Sequence, residues 1–133
     1  MGNPAAKFGD QILATDTHTV LVPSPPGAPV PTPVSLPFKG TINGSLSSNV
    51  FITGQPAAVA GSTAANDPKH LPPPGTTFAF PPTDLGIILS GSATVFINGK
   101  PAARSGDPAQ TCADPMPNLT GKVAAACTVL IGG

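Results

Sequence analysis

Short apolar stretches alternate with turn residues along this chain, and one such pattern recurs. Thr94–Asp107 reads T-V-F-I-N-G-K-P-A-A-R-S-G-D, and Asn49–Ser62 reads N-V-F-I-T-G-Q-P-A-A-V-A-G-S. Each copy has a short apolar run, a glycine turn, a P-A-A segment and a Gly-Asp or Gly-Ser pair. Apolar runs of this length between turn residues predict short β-strands, and their repetition indicates an all-β fold.

A third copy is divided between the two ends of the chain. Its second half, Pro4–Asp10, reads P-A-A-K-F-G-D, and its first half, Thr128–Gly133, reads T-V-L-I-G-G. We therefore expect a single domain over residues 1–133, in which the last strand lies beside the first segment. The three P-A-A turns should then form a triangle around a pseudo-three-fold axis, with repeat cores at 49–62, at 94–107, and at 128–133 joined with 4–10.

The apolar runs carry matched residues at three successive positions. Side chains alternate faces along a strand, so the middle residue should point away from the other two. We predict that one face meets the pseudo-three-fold axis and that Pro-rich loops cover the other. The outer positions are Val50, Val95 and Val129, with Ile52, Ile97 and Ile131, and the middle ones are Phe51, Phe96 and Leu130.

The copies are joined by segments rich in proline and glycine. Pro23–Pro37 is so dense in proline that it predicts an extended, polyproline-like segment rather than a helix or a central strand. A disordered linker is the alternative. Gly86–Leu89 is predicted to be a strand that turns at Ser90-Gly91 into the strand Ala93–Asn98.

Composition narrows the classes of function. Charged residues make up 9% of the chain and the net charge is zero, so nothing indicates a nucleic-acid partner. No apolar run approaches the ~20 residues of a membrane span, and the N-terminus lacks the apolar core of a signal peptide. Assembly in the cytoplasm is the expectation.

Each copy offers one metal-binding side chain in the loop after its turn. His18 and His70 each follow the first proline of their P-A-A segment by 14 positions, and Cys112 follows its own by 11. A pseudo-three-fold arrangement would bring them together, with Cys127 as the fourth ligand. Two histidines and two cysteines are an accepted tetrahedral zinc set. A Cys112–Cys127 disulfide and ordinary surface histidines are the alternatives.

No arrangement of residues predicts catalysis. Asp10 and Asp107 recur in Gly-Asp turns, where carboxylates accept backbone hydrogen bonds, and Asp16 has no evident catalytic partner in the sequence. Neither a nucleophile-elbow motif nor a phosphate-binding loop is present. We expect that the protein is not an enzyme.

The three copies resemble the motif of the PAAR-repeat proteins. P-A-A-R-S-G-D at Pro101–Asp107 matches it well, P-A-A-K-F-G-D at Pro4–Asp10 is close, and P-A-A-V-A-G-S at Pro56–Ser62 is degenerate. Taken together, the copies extend the resemblance over essentially the whole chain.

The resemblance implies a small β-rich cone that caps the spike of a contractile injection machine, such as a type VI secretion system or a phage-tail-like particle. Its base would sit on a trimeric VgrG-like spike protein, one tip per trimer, and aid membrane puncture. One structural zinc would lie near the apex, with His18, His70 and Cys112 as ligands and Cys127 as the fourth. Many members use three histidines and one cysteine, so this set departs from the family pattern.

The resemblance also bears on location and cargo. It implies assembly in the bacterial cytoplasm and delivery outside the cell or into a target cell, possibly with an effector attached. No effector extension is expected, because the last residues belong to a repeat. The alternative function is a free β-repeat module, stabilised by a Cys112–Cys127 disulfide, that binds a ligand with its Pro-rich loops.

Overall fold

Strands and turns make up the chain from residue 2 to residue 133, the part that the computed structural model describes. No helix occurs there, and hence none that could cross a membrane, and the predicted all-β class is confirmed. The strands of this part are β1 (Asn3–Pro4), β2 (Gln11–Val22), β3 (Val30–Gly44), β4 (Phe51–Ile52), β5 (Gln55–Pro56), β6 (Thr63–Asn66), β7 (Thr77–Phe78), β8 (Leu85–Ile88), β9 (Phe96–Ile97), β10 (Lys100–Pro101), β11 (Pro108–Thr111), β12 (Asn118–Ala124) and β13 (Leu130–Ile131).

Three short two-stranded sheets mark the three repeats. β4 pairs with β5, and β9 pairs with β10, each across a tight turn. The third sheet joins β13 to β1, with Leu130 opposite Pro4 and Ile131 opposite Asn3. The chain ends therefore lie side by side and complete the divided repeat, as the sequence predicts.

Three alanines form a hydrogen-bonded ring where the P-A-A segments meet. The amide of Ala6 donates to the carbonyl of Ala103 at 3.0 Å. The amide of Ala103 donates to Ala58 at 3.1 Å, and that of Ala58 donates back to Ala6 at 3.0 Å. All three residues are 0% exposed, so the ring satisfies backbone groups whose burial would otherwise be costly. The predicted triangle of P-A-A turns is confirmed.

The P-A-A segments pass between two apolar clusters. The first alanine of each pair packs with the isoleucines of the short sheets, so this part of the predicted face meets the axis. The valines of the same face follow the prediction less well, since Val95 and Val129 are 37% and 40% exposed. The second alanine packs against the large sheet, which continues the core beyond the ring. The first cluster contains Ala5, Ala57, Ala102, Val59, Ile52, Ile97 and Ile131, and the second includes Ala6, Ala58, Ala103, Ile12, Phe38, Ile42, Ile88 and Val123.

The prediction that Pro-rich loops cover the other face of the apolar runs is wrong. Phe51, Phe96 and Leu130 are 57%, 56% and 59% exposed. The Pro-rich segments contribute instead to the large sheet and to the loops at its far end, so they are not available to cover the short sheets. Three matched apolar side chains thus form an exposed set, called here the apolar triad.

A seven-stranded sheet forms the rest of the molecule, in the order β12-β11-β8-β6-β3-β2-β7, and β12 also pairs with β2. β2 and β3 form its longest pairing, from Gln11 opposite Thr41 to Val22 opposite Val30. The predicted strand Gly86–Leu89 is confirmed up to Ile88 as part of β8, which pairs with β6 and β11. The predicted strand Ala93–Asn98 is limited to the two residues of β9.

The long hairpin corrects the polyproline prediction for part of Pro23–Pro37, because β3 begins at Val30. Pro31, Pro33 and Pro37 lie opposite Leu21, Thr19 and Thr15 of β2. A proline is compatible with a paired strand only where its nitrogen faces away from the partner.

The neighbouring residue Lys39 shows that this condition is met. Its amide donates at 2.9 Å to the side-chain oxygen of Asn66, on the side of β3 away from β2. The three prolines lie at positions of the same parity along β3, so their nitrogens face that side too. Pairing of β3 with β6 starts only at Gly40, and no ladder hydrogen bond is lost.

Each Gly-Asp or Gly-Ser turn is closed by its last side chain. Asp107 accepts a hydrogen bond from the amide of Arg104 at 2.7 Å, and Asp10 accepts one from Lys7 at 3.0 Å. In the second repeat Ser62 performs the same function for Val59 at 3.0 Å. The preceding glycine has a φ of 91°, 96° or 92° in the three copies, which a side chain would strain.

Asp107→Ala is therefore expected to lower the free energy of unfolding by about 1–3 kcal/mol, because the part-buried backbone amide and the guanidinium of Arg104 both lose their acceptor. Asp107→Ser should retain most of the stability, since serine already closes the second turn. Urea unfolding of both variants measures the difference. Equal losses in the two variants would contradict the capping function of this side chain.

Candidate metal centre

Four buried side chains with metal-binding atoms meet at the end of the large sheet. Asp16, His18, His70 and Cys112 each offer one such atom, and all four atoms lie within 4.8 Å of one another. Each of these residues is buried, with Asp16 at 0% and Cys112 at 8% exposure. The group joins side chains from all three repeats, and it brings together His18, His70 and Cys112 as the sequence predicts.

The fold explains this convergence. Asp16 and His18 are two residues apart on β2, so both point to its inner face, which also carries the buried Ile12 and Val20. His70 lies in the loop after β6. Cys112 directly follows β11. The group therefore combines residues from three separate segments of the chain.

The metal-binding atoms of the group are close enough together to bind one metal ion. Asp16 Oδ2 lies 3.3 Å from His70 Nε2 and 3.5 Å from Cys112 Sγ. Cys112 Sγ lies 3.8 Å from His18 Nε2. Two imidazoles, one thiol and one carboxylate are all established zinc donors, so the residues present fit a tetrahedral ion.

The second oxygen of Asp16 is occupied by the protein itself. Oδ1 accepts hydrogen bonds from Thr111 Oγ1 at 2.5 Å and from Asn118 Nδ2 at 3.0 Å. These bonds satisfy a carboxylate that is fully buried, which would otherwise be strongly unfavourable. They also orient the carboxylate so that only Oδ2 faces the other three donors.

Residues outside the group hold both imidazoles. His18 Nδ1 lies 3.1 Å from Asp114 Oδ2. His70 Nδ1 lies 3.3 Å from Asn66 Nδ2, and the backbone amide of His70 donates to Asp84 Oδ1 at 2.9 Å. Each ring therefore has one nitrogen bonded to the protein and presents the other to the group.

Cys127, the fourth ligand predicted from the sequence, lies apart from this group. Its half-exposed thiol is 3.4 Å from the carbonyl of Ala5 and 3.3 Å from that of Val129, beside the short β1–β13 sheet. The alternative disulfide is not formed either, since Cys112 and Cys127 are both free. Asp16 stands where Cys127 was expected.

Asp16 was not predicted as a ligand, although its position in the sequence indicates one. It precedes His18 by two residues in a run predicted to be extended, and this spacing puts both side chains on one face of a strand. Asp114, Asn66 and Asp84 gave no such signal, because their contacts depend on how separate loops meet.

The thiol of Cys112 is poorly suited to nucleophilic catalysis. Burial raises its pKa to about 12, and the nearby carboxylate of Asp16 adds to the effect. The thiolate is the reactive form, so the thiol adjacent to His18 stays protonated at neutral pH. This electrostatic environment favours a cation, whose charge would offset the carboxylate and stabilise the thiolate.

A cleft of about 340 Å³ reaches the group from the surface. His18 and Cys112 form part of its floor, and Phe80, Leu85 and Pro115 are among the residues of its walls. Two of the four side chains are therefore buried but accessible to a small solute through this cleft.

Comparison with known proteins gives one match. A family model described as the PAAR motif matches residues 80–133, which include one complete repeat, Cys112 and the last strand. No curated protein and no solved structure matches the chain.

Proposed function

We propose that this chain, whose residues 80–133 match the model of the PAAR motif, forms the tip that caps and sharpens the trimeric spike of a contractile injection system. PAAR-motif proteins are structural spike components, and the motif is consistent with the tip position. In this proposal the chain assembles in the bacterial cytoplasm on a VgrG-like trimer. It leaves with the spike, helps to puncture the target membrane, and can carry an effector.

The apolar triad is the observation that carries the proposal. Phe51, Phe96 and Leu130 occupy equivalent positions in three repeats and are exposed to nearly the same extent. A single chain that docks on three identical subunits needs three similar contacts around one axis. Matched apolar side chains on a surface with few charges meet that need.

The layers of the molecule support an orientation. The short sheets with the apolar triad lie on one side of the alanine ring, and the large sheet with the candidate metal centre lies on the other. β2 runs from Gln11, near the ring, to His18, a distance of about 20 Å at the usual rise per residue. The triad would then form the base, and the metal centre would lie toward the apex.

Zinc is the ion that the four donors fit best, and Asp16, His18, His70 and Cys112 would hold it. When bound, the ion supplies a crosslink among segments from all three repeats. The chain itself orients Asp16 through Thr111 and Asn118, and His18 through Asp114. Such a crosslink suits a tip that contains no tryptophan or tyrosine and must resist deformation.

Replacement of the triad phenylalanines tests the docking. The double variant Phe51→Glu/Phe96→Glu is expected to lose the complex with the VgrG-like trimer. Each buried phenylalanine contributes roughly 1.5–3 kcal/mol, so both together account for at least about a hundredfold in affinity. Native mass spectrometry of tip and spike should show one tip per trimer for the original chain.

Phe80→Glu is the matched control, because Phe80 is 54% exposed but lies in the loops by the metal centre. It should bind the trimer normally. A double variant that still forms the 1:3 complex would contradict docking through the triad. An original chain that never binds the trimer would contradict the tip function itself and favour a free binding module.

A further inference from the structure

One loop contacts both nitrogens of the His18 ring. Cys112 Sγ lies 3.8 Å from Nε2, and Asp114 Oδ2 lies 3.1 Å from Nδ1. His18 is 1% exposed, and the side chain of Asp114 is 9% exposed. The imidazole is therefore held between two residues that are separated by a single position in the sequence.

Asp114 is itself fixed by the backbone on both sides of His18. Its Oδ1 accepts a hydrogen bond from the amide of Thr19 at 2.8 Å, and its own amide donates to the carbonyl of Thr17 at 3.1 Å. The two carboxylate oxygens of Asp114 therefore have different partners: Oδ1 binds the Thr19 amide, and Oδ2 binds His18 Nδ1. The loop of the third repeat is thereby attached to β2 of the first.

These contacts determine which nitrogen of His18 carries the proton. A carboxylate oxygen only accepts, so Nδ1 must be the donor, and the neutral ring then has its lone pair on Nε2. That nitrogen faces Cys112 and the rest of the group. Histidines that bind metals typically donate their other N–H to a carboxylate, which fixes the ring and makes it a better ligand.

His70 lacks such a partner. The oxygen of the Asn66 amide is bonded to the Lys39 amide, so its Nδ2 donates to His70 Nδ1. In the metal-free chain the proton of the neutral His70 ring therefore lies on Nε2, which faces Asp16 Oδ2. The two histidines are therefore not equivalent, although they occupy matched positions in the sequence. Only His18 has an anionic group behind it.

We propose that Asp114 is the positioning residue of the metal centre: it fixes the tautomer and orientation of His18, so that Nε2 is presented to the ion. This inference rests on the proposed metal function of the group. The loop 112–117 would then contribute to the metal centre twice, through the thiol of Cys112 and through the carboxylate of Asp114. His18 becomes the histidine whose affinity for the ion depends on a charged neighbour.

Asp114→Asn tests the assignment with little change in shape. The Thr19 amide and His18 Nδ1 use different oxygens of Asp114, and asparagine would place an NH2 group at one of these two positions, so one of the two hydrogen bonds is lost. Zinc affinity is expected to fall by about 10–100-fold, the usual effect of losing such a partner. Competition with a chromophoric zinc chelator measures this change.

A second readout does not depend on metal. Long-range ¹H–¹⁵N NMR of the metal-free protein should show His18 with its proton on Nδ1, and Asp114→Asn should disturb that tautomer while the His70 signals stay in place. Asp67→Asn is the control, because Asp67 is an exposed aspartate that is not among the four donors. It should change neither the affinity nor the tautomer.

The outcomes separate this inference from the proposed metal function. Unchanged zinc affinity in Asp114→Asn, or a His18 proton on Nε2 in the original chain, would overturn the positioning function. If the original chain binds no zinc, the metal function fails, and the NMR tautomer still decides the effect of Asp114 on His18. If Asp114→Asn does not fold, the tautomer in the original chain gives the same decision.

Discussion

Cys112→Ser is expected to abolish stoichiometric zinc binding, and Cys127→Ser is expected to leave it unchanged. Cys112 Sγ belongs to the group of four donors, whereas Cys127 lies against backbone carbonyls at the other side of the molecule. Both variants replace a thiol by a hydroxyl, so a difference in zinc content between them must come from the position of the cysteine. Elemental analysis of natively purified protein gives the zinc content of each variant.

Asp16→Asn extends the test to the ligand that takes the place expected for Cys127. The amide keeps an acceptor for Thr111 but removes the charge that faces the ion, so a large loss of affinity is expected. Zinc loss in Cys127→Ser that equals the loss in Cys112→Ser would restore Cys127 as a ligand. Full zinc content in Cys112→Ser would rule out the proposed centre.

Removal of the metal should also lower stability. Structural zinc contributes roughly 10–16 kcal/mol in small peptides at neutral pH, and the effect here should be smaller because a large sheet folds around the site. Thermal unfolding with and without a chelator measures it. Lowering the pH should release the ion as well, because in the proposed centre it would bind the thiolate of Cys112 and not the thiol.

The repeats made much of the fold predictable. The glycine turns and apolar runs located the short sheets, and the split copy required β13 to pair with β1. These features depend on residues close together in sequence or on the repeat itself. The convergence of His18, His70 and Cys112 followed from the same symmetry, because matched loops on a pseudo-three-fold axis meet.

The features that break the symmetry could not be predicted from the repeats. β3 pairs along its whole length because its prolines share one parity, and that becomes visible only when the register with β2 is known. Asp16 has no equivalent in the other repeats, so the symmetry does not mark it as a candidate ligand, and only its spacing of two residues from His18 does. Asp114 acts through contacts between loops of different repeats, for which a single sequence carries no signal.

The alanine ring gives the second large effect: Ala103→Leu is expected to destabilise the protein by about 3 kcal/mol or more. Ala103 is 0% exposed and bonds through its backbone to both Ala6 and Ala58. A leucine there must displace one of the other two segments, and overpacking of this kind costs typically 1–3 kcal/mol even without lost hydrogen bonds. The melting temperature should fall by roughly 10 °C.

Ala28→Leu is the matched control, because Ala28 is exposed in the turn between β2 and β3. The same side chain added there should leave the melting temperature nearly unchanged. Ala58→Leu should behave like Ala103→Leu, since the three ring positions are equivalent by the repeat. A large effect at one ring position and none at the other would mean that the three segments are not equivalent around the axis. The proposal that matched surfaces dock on three identical spike subunits would then lose its support from the ring.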